Sequence, residues 1–192
     1  MWQQLLPALR INIFFTVLLG LAYPLGMTGI CQLVFPHQAN GSLVKVGGTT
    51  VGSALIAQGF SKPEYFHPRP SMAGSGYDAT SSAGSNWGPT NKKLIDRVQA
   101  GVDQFRKENP DYHGPIPADL LTASASGLDP DISPGSALAQ ASRVAKARGV
   151  SVERMNALVA GMTEAPDLGV LGEPRVNVLK LNLELDRQFP RR

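Results

Sequence analysis

Three aspartates, Asp119, Asp129 and Asp131, lie in the stretch IPADLLTASASGLDPDISP (residues 116–134), with Thr122, Ser124 and Ser126 between them. Carboxylates and hydroxyls at this density are the hard oxygen ligands a cation takes, and paired carboxylates can also divide acid and base work. The same residues have a plainer use, and it is the favoured reading: Asp129-Pro130 and Asp131 shape a turn, and Ser133 ahead of Pro134 caps the next helix. A second motif, SLVK (residues 42–45), matches S-x-x-K, in which a lysine assists acylation of a serine. It falls in a β-prone run where that chemistry needs a helix, and no K-T-G accompanies it. An edge lysine on a strand is the better expectation for Lys45. SASG around Ser124 is not a G-x-S-x-G elbow, and neither a phosphate loop nor a dinucleotide fingerprint occurs. His37, His67 and His113 are far apart, and Cys31 is the one cysteine. No metal site and no intramolecular disulfide are expected from them.

The elements that would position these groups begin with a membrane segment. No charged residue occurs between Arg10 and Lys45, and the run INIFFTVLLGLAYPLGMTGICQLVF is almost wholly apolar. About 20 apolar residues span a bilayer core, so residues 11–35 are expected to form a transmembrane helix, with residues 1–10 cytoplasmic. Pro24 should kink it, and Gly20, Gly26 and Gly29 would let a neighbouring helix approach. A cleaved signal peptide would have a shorter apolar region and a small-x-small site, which LAYPLGMTG lacks. Residues 38–192 then form an extracytoplasmic α+β domain. In it Gly47-Gly48 signals a hairpin. Leu94, Val98, Val102 and Phe105 make one helical stripe ending before Pro110. Ser133 and Ser151 start two more helices, and Gly149 ends the first. The alternation from Leu179 to Leu185 favours a strand, with a bulge at Val178-Leu179. Arg143, Lys146 and Arg148 read as a solvated face near a helix C-terminus. The net charge of +3 on 192 residues, without a basic run, argues against nucleic acid as a partner.

The blocks VGSALIAQGFSKPEYFHPRPS, SAGSNWGPTN, PIPADLLTASASGLDPDISPGSALAQASRVAKARG and GEPRVNVLKLNLELD follow the amino-terminal anchor in order. This arrangement resembles the KdpC family, the C subunits of bacterial Kdp potassium-transporting P-type ATPases, over almost the whole chain. Two departures are Ala57, where the family's LIGQ pattern has glycine, and Trp87, where SNLGPTN is more usual. The resemblance implies a non-catalytic subunit of a high-affinity potassium uptake complex, needed for assembly and transport. It also implies the bacterial inner membrane, a single span and a periplasmic domain. Implied partners are a channel-like potassium-binding subunit, an ATP-hydrolysing P-type subunit and a very small membrane subunit. No cofactor is firmly bound. The family is described as a catalytic chaperone that raises ATP affinity, with Gln58 as the nucleotide contact. ATP is essentially absent outside the cytoplasm, so docking is the preferred role and any effect on ATP would be allosteric. The rival class is a membrane-tethered serine hydrolase using Ser42.

The stretch RPSMAGSGYDATSSAGSNWGPTN (residues 69–91) has the composition of a flexible linker, yet Met72, Tyr77 and Trp87 are set into it. Under the docking reading it is a recognition loop, with Arg69, Tyr77, Asn86, Trp87 and Thr90 as subunit-contact candidates. Thr90 could instead cap the following helix, and Trp87 could instead plug the loop's own domain.

Overall fold

The computed structural model describes residues 2–190, and the chain divides into two compact units, residues 1–51 and 52–192. In the first, α1 (Trp2–Val17), a π-helical turn (Leu18–Ala22) and α2 (Tyr23–Val34) run on as one helix of 33 residues. At 1.5 Å per residue it is about 50 Å long, against about 30 Å for a bilayer's hydrocarbon core. It is long and apolar enough to cross a membrane. Its large side chains, from Trp2 to Val34, are exposed and have no protein core to enter. The helix starts at Trp2, ahead of the uncharged run. Pro24 has no N–H for the carbonyl four residues back, and its ring crowds that turn. The backbone widens just before it: Tyr23 N–H donates to the Leu18 carbonyl, five residues back. The helix thus carries a π-turn just ahead of Pro24. A short helix, α3 (Pro36–Ala39), leads to β1 (Leu43–Val46), which pairs with β2 (Thr49–Ser53). The turn between them puts Gly47 and Gly48 at φ of +58° and +84°, which the glycine pair permits.

The second unit buries its core among three helices: α5 (Pro134–Arg148), α6 (Val152–Gly161) and α7 (Val178–Gln188). Ala137, Ala141 and Ala145 of α5 are fully covered, and small side chains let α6 pack close. Met155, Leu158 and Val159 come from α6, and Leu181 and Leu185 from α7. β3 (Asp131–Ile132) and β4 (Val176–Asn177) pair antiparallel beside them, Ile132 opposite Val176. Side-chain caps start each helix: Ser133 accepts from Ser136 N–H at 3.1 Å and Asn177 from Lys180 N–H at 3.1 Å. Gly149 closes α5 at φ +66°.

One expectation fails here. Leu179 to Leu185 is α7, not a strand. The Asn177 cap sets the start, and Val178, Leu181, Asn182 and Leu185 fall on one buried helical face. The parity break at Val178-Leu179 marks the beginning of a 3.6-residue period rather than a bulge.

A second correction concerns Arg143 and Arg148, which are not a solvated face. The segment 63–67 begins in a turn closed by Tyr65 N–H to the Lys62 carbonyl at 3.1 Å and runs on beside α5 and α7, and side chains satisfy much of its backbone. Asn182 accepts from Phe66 N–H and donates to the Phe66 carbonyl, both at 2.9 Å. Gln140 does the same for His67, at 2.8 and 3.1 Å. Each amide stands in for a neighbouring strand, with one donor and one acceptor. Arg143 donates to the carbonyls of Pro63 and Tyr65, to Gln140 Oε1 and to Asn109 Oδ1. Burial pulls its guanidinium down to about 10, against the opposing charge of Glu108. The Arg148 side chain, 2 % exposed, binds the carbonyls of Glu64 and Phe189 and pairs with Asp186 at 2.7 Å. Only Lys146 remains solvated.

Candidate subunit-contact site

The serine- and glycine-rich loop starts where this strap ends. Arg69 pairs with Asp129 at 2.7 Å. The Ser71 hydroxyl donates to the Gly127 carbonyl at 2.6 Å and accepts from Ala73 and Tyr77 N–H at 3.1 and 2.8 Å. Farther on, Ala83 N–H and the Ser82 hydroxyl donate to the Ser126 carbonyl at 3.0 and 2.9 Å. Two glycines permit this approach. A Cβ on Gly127, itself at φ +68°, would stand 2.5 Å from the Ala83 carbonyl oxygen; one on Gly84 would stand 2.8 Å from that of Ala125. Linker composition here serves close backbone packing, and the loop is tied to its own domain along half its length.

The five candidate residues divide into two groups. Arg69 and Tyr77 face inward. The Tyr77 hydroxyl donates to the Arg69 carbonyl at 2.9 Å, and its ring lies over Gly59. Burial pushes the phenol upward, so it stays a neutral donor. Asn86 and Thr90 are exposed and Trp87 is half-buried, beyond the last tie to residue 126. Asn86 takes φ +53°, a region asparagine tolerates better than most residues. Thr90 does not cap the next helix. Asn91 does, accepting from Lys93 N–H at 2.9 Å at the start of α4 (Lys92–Glu108).

The three aspartates are not gathered. Asp119 accepts from Ser133 N–H at 2.8 Å and from the Ser136 hydroxyl at 2.6 Å. Burial would raise its pKa, but these bonds outweigh burial and leave it lowered. Asp129 is taken by Arg69 and by Asp131 N–H. Asp131 is raised, first by burial, and leans on Asn177 and Arg175. Among the described residues no three His, Cys, Asp or Glu side chains form a group that could hold a metal ion. Ser42 sits at φ +47° just before β1, and Lys45 is an exposed residue of that strand. Ser42 thus lies on left-handed backbone outside the strand and Lys45 within it, so the helical turn that S-x-x-K chemistry requires is not formed. Gln58 is half-buried with its amide over Gly52, where a Cβ would overlap it.

A cavity of about 330 Å³ opens between the strap and α4, lined by Phe60, His67, Tyr77, Phe105, Glu108 and Gln140 among others. His67 Nε2 lies 3.1 Å from the Lys62 carbonyl and Nδ1 3.5 Å from Glu108. Burial and the charge of Arg143 lower its pKa despite Glu108. The site residues that sequence reading missed are Ser71, Gly84, Gly127, Gln140 and Asn182. Their one advance signal is small or amide side chains beside apolar positions, which is common and unspecific.

These features define a class: a membrane-associated protein with one candidate span and a small α+β domain, whose buried polar groups hold its own backbone. Within it, the chain belongs to the KdpC family, described as the K+-transporting ATPase c chain, which matches residues 5–187. It is similar to the potassium-transporting ATPase KdpC subunits of Rhodospirillum rubrum (56 % identical, covering 99 % of this chain and 98 % of that one) and Myxococcus xanthus (58 %, covering 98 % and 90 %). That of Caulobacter sp. strain K31 is 57 % identical, covering 99 % and 96 %.

Proposed function

We propose that the chain is a non-catalytic subunit of a potassium-transporting ATPase, anchored in the inner membrane by its amino-terminal helix. Its domain faces the periplasm and docks on the channel-like subunit through the outer part of the loop. Assembly with that subunit, the ATP-hydrolysing subunit and a very small membrane subunit follows, and with it high-affinity uptake. The observation that carries this reading is the split within the loop. Its inner part is fixed by the domain's own backbone, and its outer part presents Asn86, Trp87 and Thr90. A half-buried tryptophan offers a large aromatic contact area at a small side-chain entropy cost on docking. Gln58 lies against Gly52 as a packing group. An influence on ATP affinity therefore travels through the pump as a coupling free energy between faces.

The test is a reporter fused to the carboxyl terminus, combined with co-purification through an affinity tag in mild detergent. Periplasmic reporter activity and recovery of the other subunits are expected. A cytoplasmic reporter, or the chain recovered alone, would contradict the reading.

A further inference from the structure

Residues 164–175 form a hairpin that the sequence reading left unremarked. Its root is Glu164 paired with Arg175, whose backbones exchange hydrogen bonds at 2.8 and 3.1 Å. The Arg175 side chain reaches three carboxylates, Glu164 at 3.4 Å, Asp167 at 3.5 Å and Asp131 at 3.7 Å, and Lys180 adds a bond to Glu164 at 3.0 Å. The root runs directly into buried Val176 of β4, so the hairpin extends from the core. Its tip is apolar: Leu168 is 89 % exposed, Val170 80 % and Leu171 58 %. Leu168 and Gly169 take φ of +55° and +77° inside a turn closed by Val170 N–H to the Asp167 carbonyl at 3.2 Å. Leucine is poorly suited to that left-handed backbone, where glycine or asparagine sits free of strain. At that exposure its side chain finds little inside the domain to offset the cost.

Scattered exposed apolar residues need no explanation; three together on a charge-braced projection do. The chemistry around the tip selects the occupant. Asp167 and Glu173 flank it, and Glu173 has no ion pair among the described residues. Anchors that enter a lipid surface carry basic side chains beside their apolar ones, and this tip is flanked by acidic ones instead. A second copy docking tip to tip would set acidic collars against each other. We infer that the hairpin 164–175 is a docking finger whose tip, Leu168, Val170 and Leu171, seats in an apolar pocket with a cationic rim on another subunit of the potassium-transporting ATPase. This rests on the docking reading above and adds a second contact, distinct from the loop at Trp87.

The experiment places a photo-crosslinking amino acid at Val170, and separately at Trp87, in the full complex in native membranes. An adduct from position 170 to another subunit is expected. Its yield should fall about threefold with Glu173→Lys, the effect of reversing one partly exposed charge contact. An adduct to lipid only, to a second copy, or none at all overturns the finger, and an unchanged yield with Glu173→Lys overturns the cationic rim. Adducts from position 87 without any from position 170 sink the finger alone; none from either sinks the docking reading as well.

Discussion

The strap at 63–67 and the loop at 69–91 adjoin in sequence, lack regular secondary structure and are held by opposite means. The strap is held by large polar side chains reaching in from α5 and α7: Gln140, Arg143, Arg148 and Asn182. The loop is held by backbone, by one serine hydroxyl and by glycines that remove obstruction. In the strap, every clamp is a buried polar group that would be orphaned by losing its partner. In the loop, the hydrogen-bonded ties to residues 126–127 run to residue 83, and beyond them Asn86 and Thr90 are exposed and Trp87 is half-buried. One segment builds the domain; the next carries a surface on it.

The contrast can be broken most sharply at Arg143. Arg143→Met takes the donor from the Pro63 and Tyr65 carbonyls and from Asn109 Oδ1 and should cost about 3–5 kcal/mol, the range for dismantling a buried charged network. Thermal unfolding of the full chain in detergent should show this as a large drop in midpoint. Asn182→Ala orphans the N–H and carbonyl of Phe66 and should cost about 2–3 kcal/mol by the same assay. On the loop, Gly127→Ala combines a positive φ with a Cβ against the Ala83 carbonyl, and about 2 kcal/mol is expected. Its signature is local: limited proteolysis should cut within residues 71–85 before the helices unfold. At the small end, Thr90→Ala should change stability by no more than about 0.5 kcal/mol, since that position is exposed.

His67 links the strap to α4 and gives the comparison a pH axis. Its folded pKa lies below the ordinary 6.5 through burial and the charge of Arg143. The unfolded chain therefore binds the extra proton first as pH falls. The stabilisation is fully present above 6.5 and is lost as pH drops through that value toward the folded pKa. Unfolding midpoints taken at about pH 5 to 8 should fall on the acid side for the native chain and fall less for His67→Gln.

What the sequence made legible follows the locality of the signal. The membrane helix, the glycine-pair hairpin, and the caps at Ser133 and Ser151 depend on neighbouring residues, and all were readable. α7 was misread because LKLNLEL satisfies a two-residue alternation and a helical face equally well. The deciding term was burial of Leu181 and Leu185 against α6 and Phe66, which local pattern does not contain. Arg143 and Arg148 were misread for the same reason: their partners lie about eighty residues away in the chain, at the strap. Of the contact candidates, Tyr77 and Trp87 are alike as aromatic residues in a polar loop. Both are half-buried, and that Tyr77 bonds the Arg69 carbonyl depends on the fold of the loop, which neither residue's sequence neighbourhood reveals. The family could be recognised because its blocks keep their order and spacing, which no single motif in them reveals.

The central claim is that the outer loop is a docking surface on a domain it does not stabilise. Trp87→Ala in the tagged full chain, assayed for co-purification of the other subunits and for its own unfolding midpoint, tests it directly. The account predicts a nearly unchanged midpoint and a marked loss of co-purified subunits. Full recovery of the complex, or a collapse of the midpoint that accounts for the loss, would contradict it.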